Sequence, residues 1–488
     1  MTDIKQIIKE IENNENVRKN VLTLKNESKE KSFSIDSPLL KQLLKYEDVK
    51  VRKNTCILIH NLQREDLVDD LVECLFEEEN WIVKNEIIET LHLFNLNQTT
   101  LDKLNSYFKN LTHDLGENQI HIETLKGKLF DLLRKQGCYE YPQFKDIDQS
   151  ITLLFTGLDE QLNSIYEQVD TNKKKITKYG VVAKVDSMYE IETLRDYKNW
   201  YVVLSGLKNA TLDLDTLPEM IIQSNLFKVL YQLHDKQAFA FRIDSENTKK
   251  ENLGNDFVRR LGLKIQELSN DKLYNSTSDY DIEFCLLEGK NKSCQVLLKC
   301  DTFLDERFAY RQFVLPTSMQ PYLAASIIHQ ISSYIHPKAK IIDLCCGTGT
   351  LLIERNIFKP CTFSMGVDLY GEAIKMARHN SYKANLDINY VQRDFESFQH
   401  IHQFDEVYGD LPVVSANQDR KKIEKLYMDF MNKAIKLVNT KGHLFIYTTE
   451  IELFKKVLRF FKNNVEIQEE IQFTLKNTKS QLFILKMK

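Results

Sequence analysis

The sequence of 488 residues predicts a multidomain α and α/β protein: a helical segment comes first, a small α/β region follows, and a doubly wound sheet closes the chain. Three observations predict this order. Residues 1–140 contain almost no glycine or proline and read as helices. Short apolar runs between turns predict strands in residues 150–305. Residues 340–354 combine a strand, a glycine turn and a helix, which is how a doubly wound sheet begins.

The N-terminal segment, residues 1–140, carries a weak internal repeat. Four apolar positions recur 32 residues later, and the pairs are Leu40 and Val72, Leu43 and Leu75, Leu44 and Phe76, and Val51 and Val83. This period resembles that of HEAT repeats, which form short α-solenoids. A plain helical bundle would give similar matches. We expect this segment to be either a docking surface for a protein partner or a packed helical cap, without catalytic residues.

The middle region, residues 150–305, begins after a stretch in which glycine, tyrosine and proline interrupt the helical pattern. Apolar runs predict strands at residues 151–156, 181–185, 200–204 and 238–243, followed by a hairpin within residues 279–298. The region also contains a basic run, which we interpret as a solvated loop and as a candidate contact for RNA phosphates. Its cations are Lys173, Lys174, Lys175 and Lys178.

The last region, residues 306–488, is organised around the turn that follows Asp343. Gly347 and Gly349 let a ligand approach the backbone closely. A dinucleotide-binding turn would have a third glycine where Leu352 stands, and a P-loop would have a lysine, so neither phosphate site fits. The Asp343 carboxylate would repel phosphates and attract a cation. S-adenosylmethionine (SAM), which carries an ammonium and a sulfonium group, suits this turn.

Acidic residues also follow the next two predicted strands. Asp368 comes 25 residues after Asp343, near the spacing of a carboxylate that binds ribose hydroxyls. Asp394 and Phe395 come after the third strand, where the acid could accept from the adenine amine and the ring could pack on the base. A helix N-cap is an equally good interpretation of Asp394.

The fourth predicted strand ends in Asp410, Leu411 and Pro412, which we take as the candidate catalytic segment. It lies at the carboxyl edge of the sheet, where α/β sheets bind ligands. Asp410 could accept one N–H of an exocyclic amine and the Leu411 carbonyl could accept the other. That arrangement would aim the nitrogen lone pair at a methyl group.

Composition limits the function classes. A net charge of −4 is unlike that of a protein that binds RNA through bulk charge, so RNA would have to bind at local basic patches. The nine cysteines form no Cys-x-x-Cys pair, which predicts a reducing compartment and no metal site. No apolar run is long enough to cross a bilayer, and the first residues lack a signal peptide core. We expect a cytoplasmic protein.

From residue 151 onward the sequence resembles the THUMP-containing RNA methyltransferases, which use SAM to methylate the exocyclic amine of guanine in tRNA or rRNA. Residues 343–354 match the first motif of that family, residues 315–325 are similar to its pre-motif segment, and residues 157–159 resemble the start of its ferredoxin-like domain. The resemblance implies a Rossmann-like class I methyltransferase domain with a seven-stranded mixed sheet after a ferredoxin-like and THUMP-like region. It implies that further SAM contacts come from Cys345, Thr348, Thr350, Leu369, Ser318 and Pro321.

The sequence departs from this family after Pro412. The family usually has an aromatic residue there that stacks on the target base, whereas this chain has Val413 and Val414. Tyr408 or Tyr370 could take that role. Two other functions therefore stay open: methylation of a small molecule or a protein, and a non-catalytic RNA-binding scaffold that keeps the fold.

Overall fold

The computed structural model of the chain describes residues 3–111, 118–158, 161–245, 254–289, 293–412, 420–475 and 478–488. Within these ranges, no helix combines the length and the apolar character that a membrane crossing needs. The chain forms two compact units that interleave in sequence. The first unit contains Met1–Lys145 and Val203–Phe303, and the second contains Asp146–Val202 and Leu304–Lys488. The predicted division into residues 1–140, 150–305 and 306–488 stays a prediction.

The described residues form helices and strands in the following chain order. The helices are α1 (Ile4–Glu12), α2 (Val17–Glu27), α3 (Ser37–Leu44), α4 (Val49–Asn61), α5 (Val68–Glu77), α6 (Trp81–Leu91), α7 (Gln98–Asn110), α8 (Gln119–Lys135), α9 (Leu162–Gln168), α10 (Tyr189–Thr193), α11 (Leu217–Gln223), α12 (Leu226–Leu233), α13 (Asn255–Leu268), α14 (Pro321–Gln330), α15 (Thr350–Phe358), α16 (Gly371–Lys383), α17 (Arg420–Leu437) and α18 (Ile451–Leu458). The strands are β1 (Ile151–Thr156), β2 (Lys174–Thr177), β3 (Gly180–Val185), β4 (Asn199–Val203), β5 (Ala210–Thr211), β6 (Phe239–Asp244), β7 (Leu273–Asn275), β8 (Ile282–Glu288), β9 (Ser293–Cys300), β10 (Lys340–Asp343), β11 (Phe363–Asp368), β12 (Asn389–Gln392), β13 (Phe404–Asp410), β14 (Val438–Thr448), β15 (Val465–Leu475) and β16 (Thr478–Met487).

The helices α1 to α8 stack as pairs in two layers, which confirms the predicted helical segment. The even-numbered helices contact one another in succession from α2 to α8, and α3, α5 and α7 do the same on the other side. Several helices begin at an Asp or Asn whose side chain accepts from the first turn, as Asp48 does at α4 and Asn80 at α6. Val51 and Val83, which the repeat pattern pairs, are both fully buried at equivalent positions of α4 and α6.

The second half of the first unit is a mixed sheet with helices α11 to α13. β8 pairs antiparallel with β9, which confirms the predicted hairpin, and β6 lies parallel to both β7 and β8. Helix α8 packs on this half, because Phe130 stacks on Tyr274 with ring centroids 4.0 Å apart. Helices α11 and α12 and strand β7 were not predicted from the sequence.

The second unit begins with four antiparallel strands in the order β2, β3, β1, β4. The interpretation of the basic run as a loop is wrong in part, because Lys174 and Lys175 belong to β2, which pairs with β3. β2 is the outer member of this group of strands in the second unit. Charged residues suit such an edge because they discourage further strand pairing.

The rest of the second unit is a seven-stranded mixed sheet in the order β12-β11-β10-β13-β14-β16-β15. Strands β10 to β14 are parallel, and β16 runs antiparallel to both β14 and β15. Side chains alternate between the two faces, so that Ile342 packs in one apolar core and Ile341 in the other. The register aligns the carboxyl ends of β10, β11 and β13, and this alignment positions the candidate site.

Candidate active site

A cavity of about 720 Å³ opens at the carboxyl ends of β10, β11, β12 and β13. Thirteen of the predicted site residues line it: Ser318, Asp343, Cys345, Gly347, Thr348, Thr350, Asp368, Leu369, Asp394, Phe395, Asp410, Leu411 and Pro412. The other lining residues are Leu315, Thr317, Met319, Leu344, Cys346, Leu351 and Leu426. The structure thus brings the predicted cofactor residues and the predicted catalytic segment to one cavity.

Four carboxylates define the chemistry of this cavity. Asp343 ends β10, Asp368 ends β11 and Asp410 ends β13, while Asp394 follows β12 by two residues. Among the described residues that line the cavity there is no lysine, arginine or histidine. The site is therefore suited to a cationic ligand and unsuited to phosphates.

The two glycines of the turn have different roles. Gly347 has φ +51 and Gly349 has φ +81, both in the left-handed region that favours glycine. Gly347 lines the cavity. Gly349 does not, because it lies at the start of α15 with its Cα against the Tyr390 hydroxyl, where a Cβ would collide. Gly349 and Pro321, which begins α14, shape the site without forming its wall.

Backbone N–H groups hold the first two carboxylates in place. Asp368 accepts from the N–H of Gly347 and from the N–H of Tyr370, each at 2.8 Å. Asp343 accepts from the Cys345 N–H at 3.0 Å. A carboxylate offers about four acceptor positions, so both groups keep capacity for a ligand.

Burial and mutual repulsion raise the pKa of two of these acids. Burial raises the pKa of Asp343 to about 7, and the charge of Asp368 adds to the shift, while the Cys345 N–H opposes it. Burial, followed by the charge of Asp343, raises the pKa of Asp410 to about 7. The same surroundings raise the pKa of the Cys345 thiol well above its usual value, so that Cys345 is not a nucleophile.

The Asp-Leu-Pro segment is held by contacts that sequence reasoning missed. The Leu411 N–H donates to the Tyr447 carbonyl at 2.9 Å. The Tyr427 hydroxyl donates to the Pro412 carbonyl at 2.8 Å and lies 2.9 Å from the Thr448 hydroxyl. Tyr427 belongs to the apolar stripe of α17, which the sequence shows, but nothing local in the sequence indicates which carbonyl its hydroxyl meets.

The segment before α14 is tied to the turn by side chains. Ser318 accepts from the Leu315 N–H at 2.9 Å, and its hydroxyl lies 3.0 Å from that of Thr348. Asn380 of α16 donates to the carbonyls of Phe313 at 2.9 Å and of Thr348 at 3.3 Å. Asn380 was not predicted, because its role depends on a fold contact far from it in sequence.

Asp394 and Phe395 lie in the cavity wall, where the helix N-cap interpretation of Asp394 is wrong and the adenine contact stays a prediction. The Asp394 carboxylate accepts from the Glu396 N–H at 2.9 Å, as a capping residue does, at the start of a turn and not of a helix. Phe395 packs edge-on against Phe430 with ring centroids 5.7 Å apart. Both residues also line the cavity.

The two tyrosines that could replace the missing aromatic residue and the predicted basic run lie outside the cavity wall. The suggestion that Tyr408 replaces the missing aromatic is wrong, because its ring is 0% exposed and its hydroxyl donates to Glu406 in the core. Tyr370 is exposed beside Leu369 at the start of α16, while Val413 and Val414 lie outside the described residues. The basic run is not part of the wall either: Lys174 donates to the Val169 carbonyl at 2.7 Å. Its companions Lys173, Lys175 and Lys178 also belong to the region around β2.

Comparisons with known proteins agree with this geometry. Residues 309–480 match the family model described as "RMKL-like, methyltransferase domain". A tRNA (guanine(6)-N2)-methyltransferase of Methanocaldococcus jannaschii is 24% identical over 225 residues, which cover 38% of this chain and 58% of that relative. The chain thus spans less than two thirds of the length of this curated relative.

Two solved structures share the fold. TrmN from Thermus thermophilus matches with a TM-score of 0.52 and 15% identity, over 70% of this chain and 100% of that chain. SMU.472, described as a methyltransferase and solved in complex with SAH, matches with a TM-score of 0.54 and 15% identity, over 69% of this chain and 98% of that chain. The family model over residues 309–480 and these two structures together indicate a class I methyltransferase-like fold. The cavity lies at the edge of the sheet that carries the four acids.

Proposed function

We propose that this chain is a SAM-dependent methyltransferase that methylates the exocyclic amine of a guanine in tRNA or rRNA. One observation carries the proposal: a cavity at the carboxyl edge of the sheet holds Asp343, Asp368 and Asp394 together with the Asp-Leu-Pro segment that begins at Asp410. The name of the Methanocaldococcus jannaschii relative supports the substrate class, since that protein acts on the N2 amine of a guanine in tRNA.

SAM fits the cavity in charge and in size. A volume of about 720 Å³ is within the range of pockets that enclose cofactors. Burial raises the pKa of Asp343 and of Asp410 to about 7, and the positive charges of an ammonium and a sulfonium group would lower both pKa values again. When bound, SAM supplies a methyl group on a positively charged sulfur.

Each wall residue then has a role in holding SAM. Asp343 attracts the cationic end, Asp368 accepts from the ribose hydroxyls, and Asp394 accepts from the adenine amine while Phe395 contacts the ring. Gly347 allows close approach of the backbone. The remaining contacts come from the turn and from the segments beside it: Ser318, Cys345, Thr348, Thr350 and Leu369, with Pro321 and Gly349 behind them.

Asp410 and Leu411 orient the target amine. The Asp410 carboxylate and the Leu411 carbonyl accept the two N–H groups, so the nitrogen lone pair points away from both acceptors. Tyr447 and Tyr427 fix this geometry through the Leu411 N–H and the Pro412 carbonyl. With a pKa of about 7, Asp410 can also take up the proton that the nitrogen loses. The base must leave its stack to reach the segment.

The Asp410→Ala variant tests this assignment. We expect methyl transfer to tRNA or rRNA to fall by at least about a hundredfold, because the amine loses its orienting acceptor, while SAM affinity stays within about threefold. Labelled SAM with total cellular RNA measures transfer, and calorimetry measures SAM binding. The control is Glu466→Ala, which removes an exposed carboxylate from the edge strand β15.

The outcome separates the alternatives. Loss of both transfer and SAM binding in Asp410→Ala would make Asp410 a cofactor residue. Label that survives RNase treatment and is found in protein or small molecules would contradict the RNA substrate. If the wild-type chain does not bind SAM, the protein is a non-catalytic scaffold that keeps the methyltransferase fold. Mass spectrometry of nucleosides from cells that lack the protein would identify the modified guanine.

The other regions are assigned by the same proposal. Residues 150–305 form a ferredoxin-like and THUMP-like RNA-binding region in a cytoplasmic enzyme, with Lys173, Lys174, Lys175 and Lys178 near the phosphates. Residues 1–140 form a HEAT-like repeat that docks a protein partner, an assignment supported by the layered helix pairs.

A further inference from the structure

Helix α16 carries a strip of basic and aromatic side chains on one face. We define the α16 strip as Phe313, Lys375, Arg378, His379, Tyr382 and Lys383. Lys375, His379 and Lys383 are four residues apart, and Arg378 and Tyr382 precede His379 and Lys383 by one residue, so the five residues lie on the same side of the helix. Phe313 joins them from the neighbouring segment, with its ring edge-on to that of His379 at a centroid distance of 4.7 Å.

The aromatic members of the strip are exposed. Tyr382 is 78% exposed and Phe313 is 46% exposed. Val314, next to Phe313, is exposed as well. Large aromatic rings left open to water on one face are typical of a surface that binds a ligand.

The cations of the strip lack acidic partners. Lys375, Arg378 and Lys383 are exposed, and within the described part of the chain none of them forms an ion pair with a carboxylate. Arg378 donates to the Tyr390 carbonyl at 2.7 Å, which holds its guanidinium at the surface. The acid on the same face is Glu372 at the start of α16, where it accepts from the Tyr370 hydroxyl at 3.2 Å. The strip is thus locally cationic in a chain whose net charge is −4.

The strip is continuous with the wall of the cavity. Asn380 binds the Phe313 carbonyl and the Thr348 carbonyl, so it fixes the strip to the glycine turn. Leu315, two residues after Phe313, lines the cavity itself. Tyr370 and Leu369 lie at the other end of α16, where Leu369 is also a cavity residue.

We propose that the α16 strip binds single-stranded RNA next to the target nucleotide. Bases stack on the rings of Tyr382 and Phe313, and the phosphates between them pair with Lys375, Arg378 and Lys383. Unstacked bases are the ligands that combine flat apolar faces with regularly spaced negative charge, and proteins bind them with exposed aromatic residues set among cations. This inference rests on the proposed function, since it places RNA at the methyltransferase cavity.

The test measures RNA binding directly. The probe is a short fluorescein-labelled single-stranded RNA of mixed sequence that contains guanine, and its affinity for the full chain is measured by fluorescence anisotropy at several salt concentrations. In the double variant Phe313→Ala/Tyr382→Ala we expect the Kd to rise at least about fivefold, because stacking contributes about 1–3 kcal/mol per base. The matched control is Phe460→Ala, an exposed aromatic of the turn at Arg459–Phe461.

A second variant tests the phosphate contacts. In Lys375→Gln/Lys383→Gln we expect the slope of log K against log salt to become shallower by about 1.4, since each phosphate contact contributes about 0.7 for a single strand. The control Lys441→Gln/Lys462→Gln removes two exposed lysines from the part of the second unit near the amino end of β14 and the start of β15. Calorimetry with SAM should give the same affinity for all four variants.

The outcomes distinguish this inference from the proposed activity. If wild-type protein binds the RNA and the strip variants weaken binding while no methyl is transferred, RNA binding by the α16 strip is supported and the proposed methyltransferase activity is contradicted. If methyl is transferred and both strip variants bind the RNA with a Kd within twofold of the wild-type value, RNA binding by the α16 strip is contradicted. A wild-type chain that does not bind the RNA at low salt also overturns it, as do controls that weaken binding as much as the strip variants.

Discussion

At the scale of single residues, the cavity is set by carboxyl groups that repel one another. Asp343 is 1% exposed, and burial raises the pKa of both Asp343 and Asp410 to about 7. A cationic ligand needs these groups ionised. Ligand affinity and the stability of the ligand-free protein therefore depend on pH in opposite directions.

We expect SAM to bind more tightly as pH rises through about 7. Below that value Asp343 is protonated. Each further decrease of one pH unit then lowers the affinity for SAM by up to about tenfold for each carboxyl group that must be ionised. Calorimetry across about two pH units on the acid side of neutrality measures this. The Asp343→Asn variant should bind SAM weakly and with less dependence on pH. An unchanged pH profile in this variant would contradict the role of Asp343.

Stability of the ligand-free protein should change in the other direction. A carboxyl whose folded pKa lies above its unfolded value stabilises the folded state at low pH, and that stabilisation is lost as pH rises from about 4 to about 7. Thermal unfolding without SAM should therefore show a Tm that falls over this window. The fall should be smaller in Asp343→Asn, and adding SAM at neutral pH should offset it.

Single residues of the site could be predicted where their signal is local. Asp343, Gly347 and Asp368 are recognisable because a strand end, a turn and a second strand end follow one another within a short stretch. Tyr427 and Asn380 could not be predicted, because each acts on a carbonyl far away in sequence. Tyr408 was misjudged because a tyrosine near the end of a strand can face either the core or the cavity, and here its hydroxyl binds Glu406.

At the scale of elements, helix α15 is anchored by a buried acid. Glu354, 1% exposed at its side chain, accepts from the Nε and one Nη of Arg195, each at 2.8 Å, and from the Tyr310 hydroxyl at 2.6 Å. Arg195 lies between α10 and β4, so this contact joins the first strands of the second unit to the helix that begins at the cavity turn.

Replacing Arg195 should destabilise the second unit strongly. In Arg195→Ala we expect the free energy of unfolding to fall by about 3 kcal/mol, because Glu354 keeps its charge without its cation. The chain has two tryptophans, Trp81 in the first unit and Trp200 in the second, so denaturation followed by fluorescence in a Trp81→Phe background reports on the second unit alone.

Two further variants control this experiment. Lys456→Ala removes an exposed ion pair with Glu424 in the same unit and should cost less than about 1 kcal/mol. Arg195→Ala/Glu354→Gln should recover part of the lost stability, because the buried charge is removed as well. If Arg195→Ala lowers the free energy of unfolding no more than Lys456→Ala does, the anchoring role of Arg195 is contradicted.

Elements with a clear apolar pattern were predicted within a few residues of their bounds. β1 and β13 are examples, since each is a short apolar run between turns. β2 was misread because its lysines suggest a loop, and its strand conformation depends on pairing with β3. Helices α11 and α12 were missed since Pro218 and the short lengths of both elements weaken any helical period.

At the scale of the whole molecule, the first unit is joined by α8. Arg134 of this helix is buried and pairs with Asp281 at 2.7 Å and with Asp279 at 3.1 Å, and Asp281 also accepts from the Ala240 N–H at 2.7 Å. The helical segment and residues 203–303 are therefore expected to unfold together.

The Arg134→Ala variant tests this cooperativity. We expect a loss of about 3 kcal/mol in the first unit, because Asp281 is left buried without a cation. Fluorescence of Trp81 in a Trp200→Phe background measures the loss, and hydrogen exchange should show α6 and β8 losing protection together. Lys45→Ala, which removes an exposed pair with Glu77, should change little. Loss of protection in β8 with α6 unaffected would contradict a joint unit.

The order of helical, mixed and doubly wound regions could be predicted, because composition and periodicity change along the chain. The grouping of these regions into two interleaved units could not be predicted, since it depends on contacts between elements that are far apart in sequence. Nothing in the local pattern around Phe130 or Tyr274 indicates that their rings stack.

The interleaving of the two units has a practical consequence. The chain passes from one unit to the other near residues 145, 202 and 303. A single cut anywhere between the first and last of these points removes part of one unit from its remainder. A shortened chain that is meant to fold as the second unit must therefore keep the segment from Asp146 to Val202 joined to the C-terminal half, for example through a designed linker in place of residues 203–303.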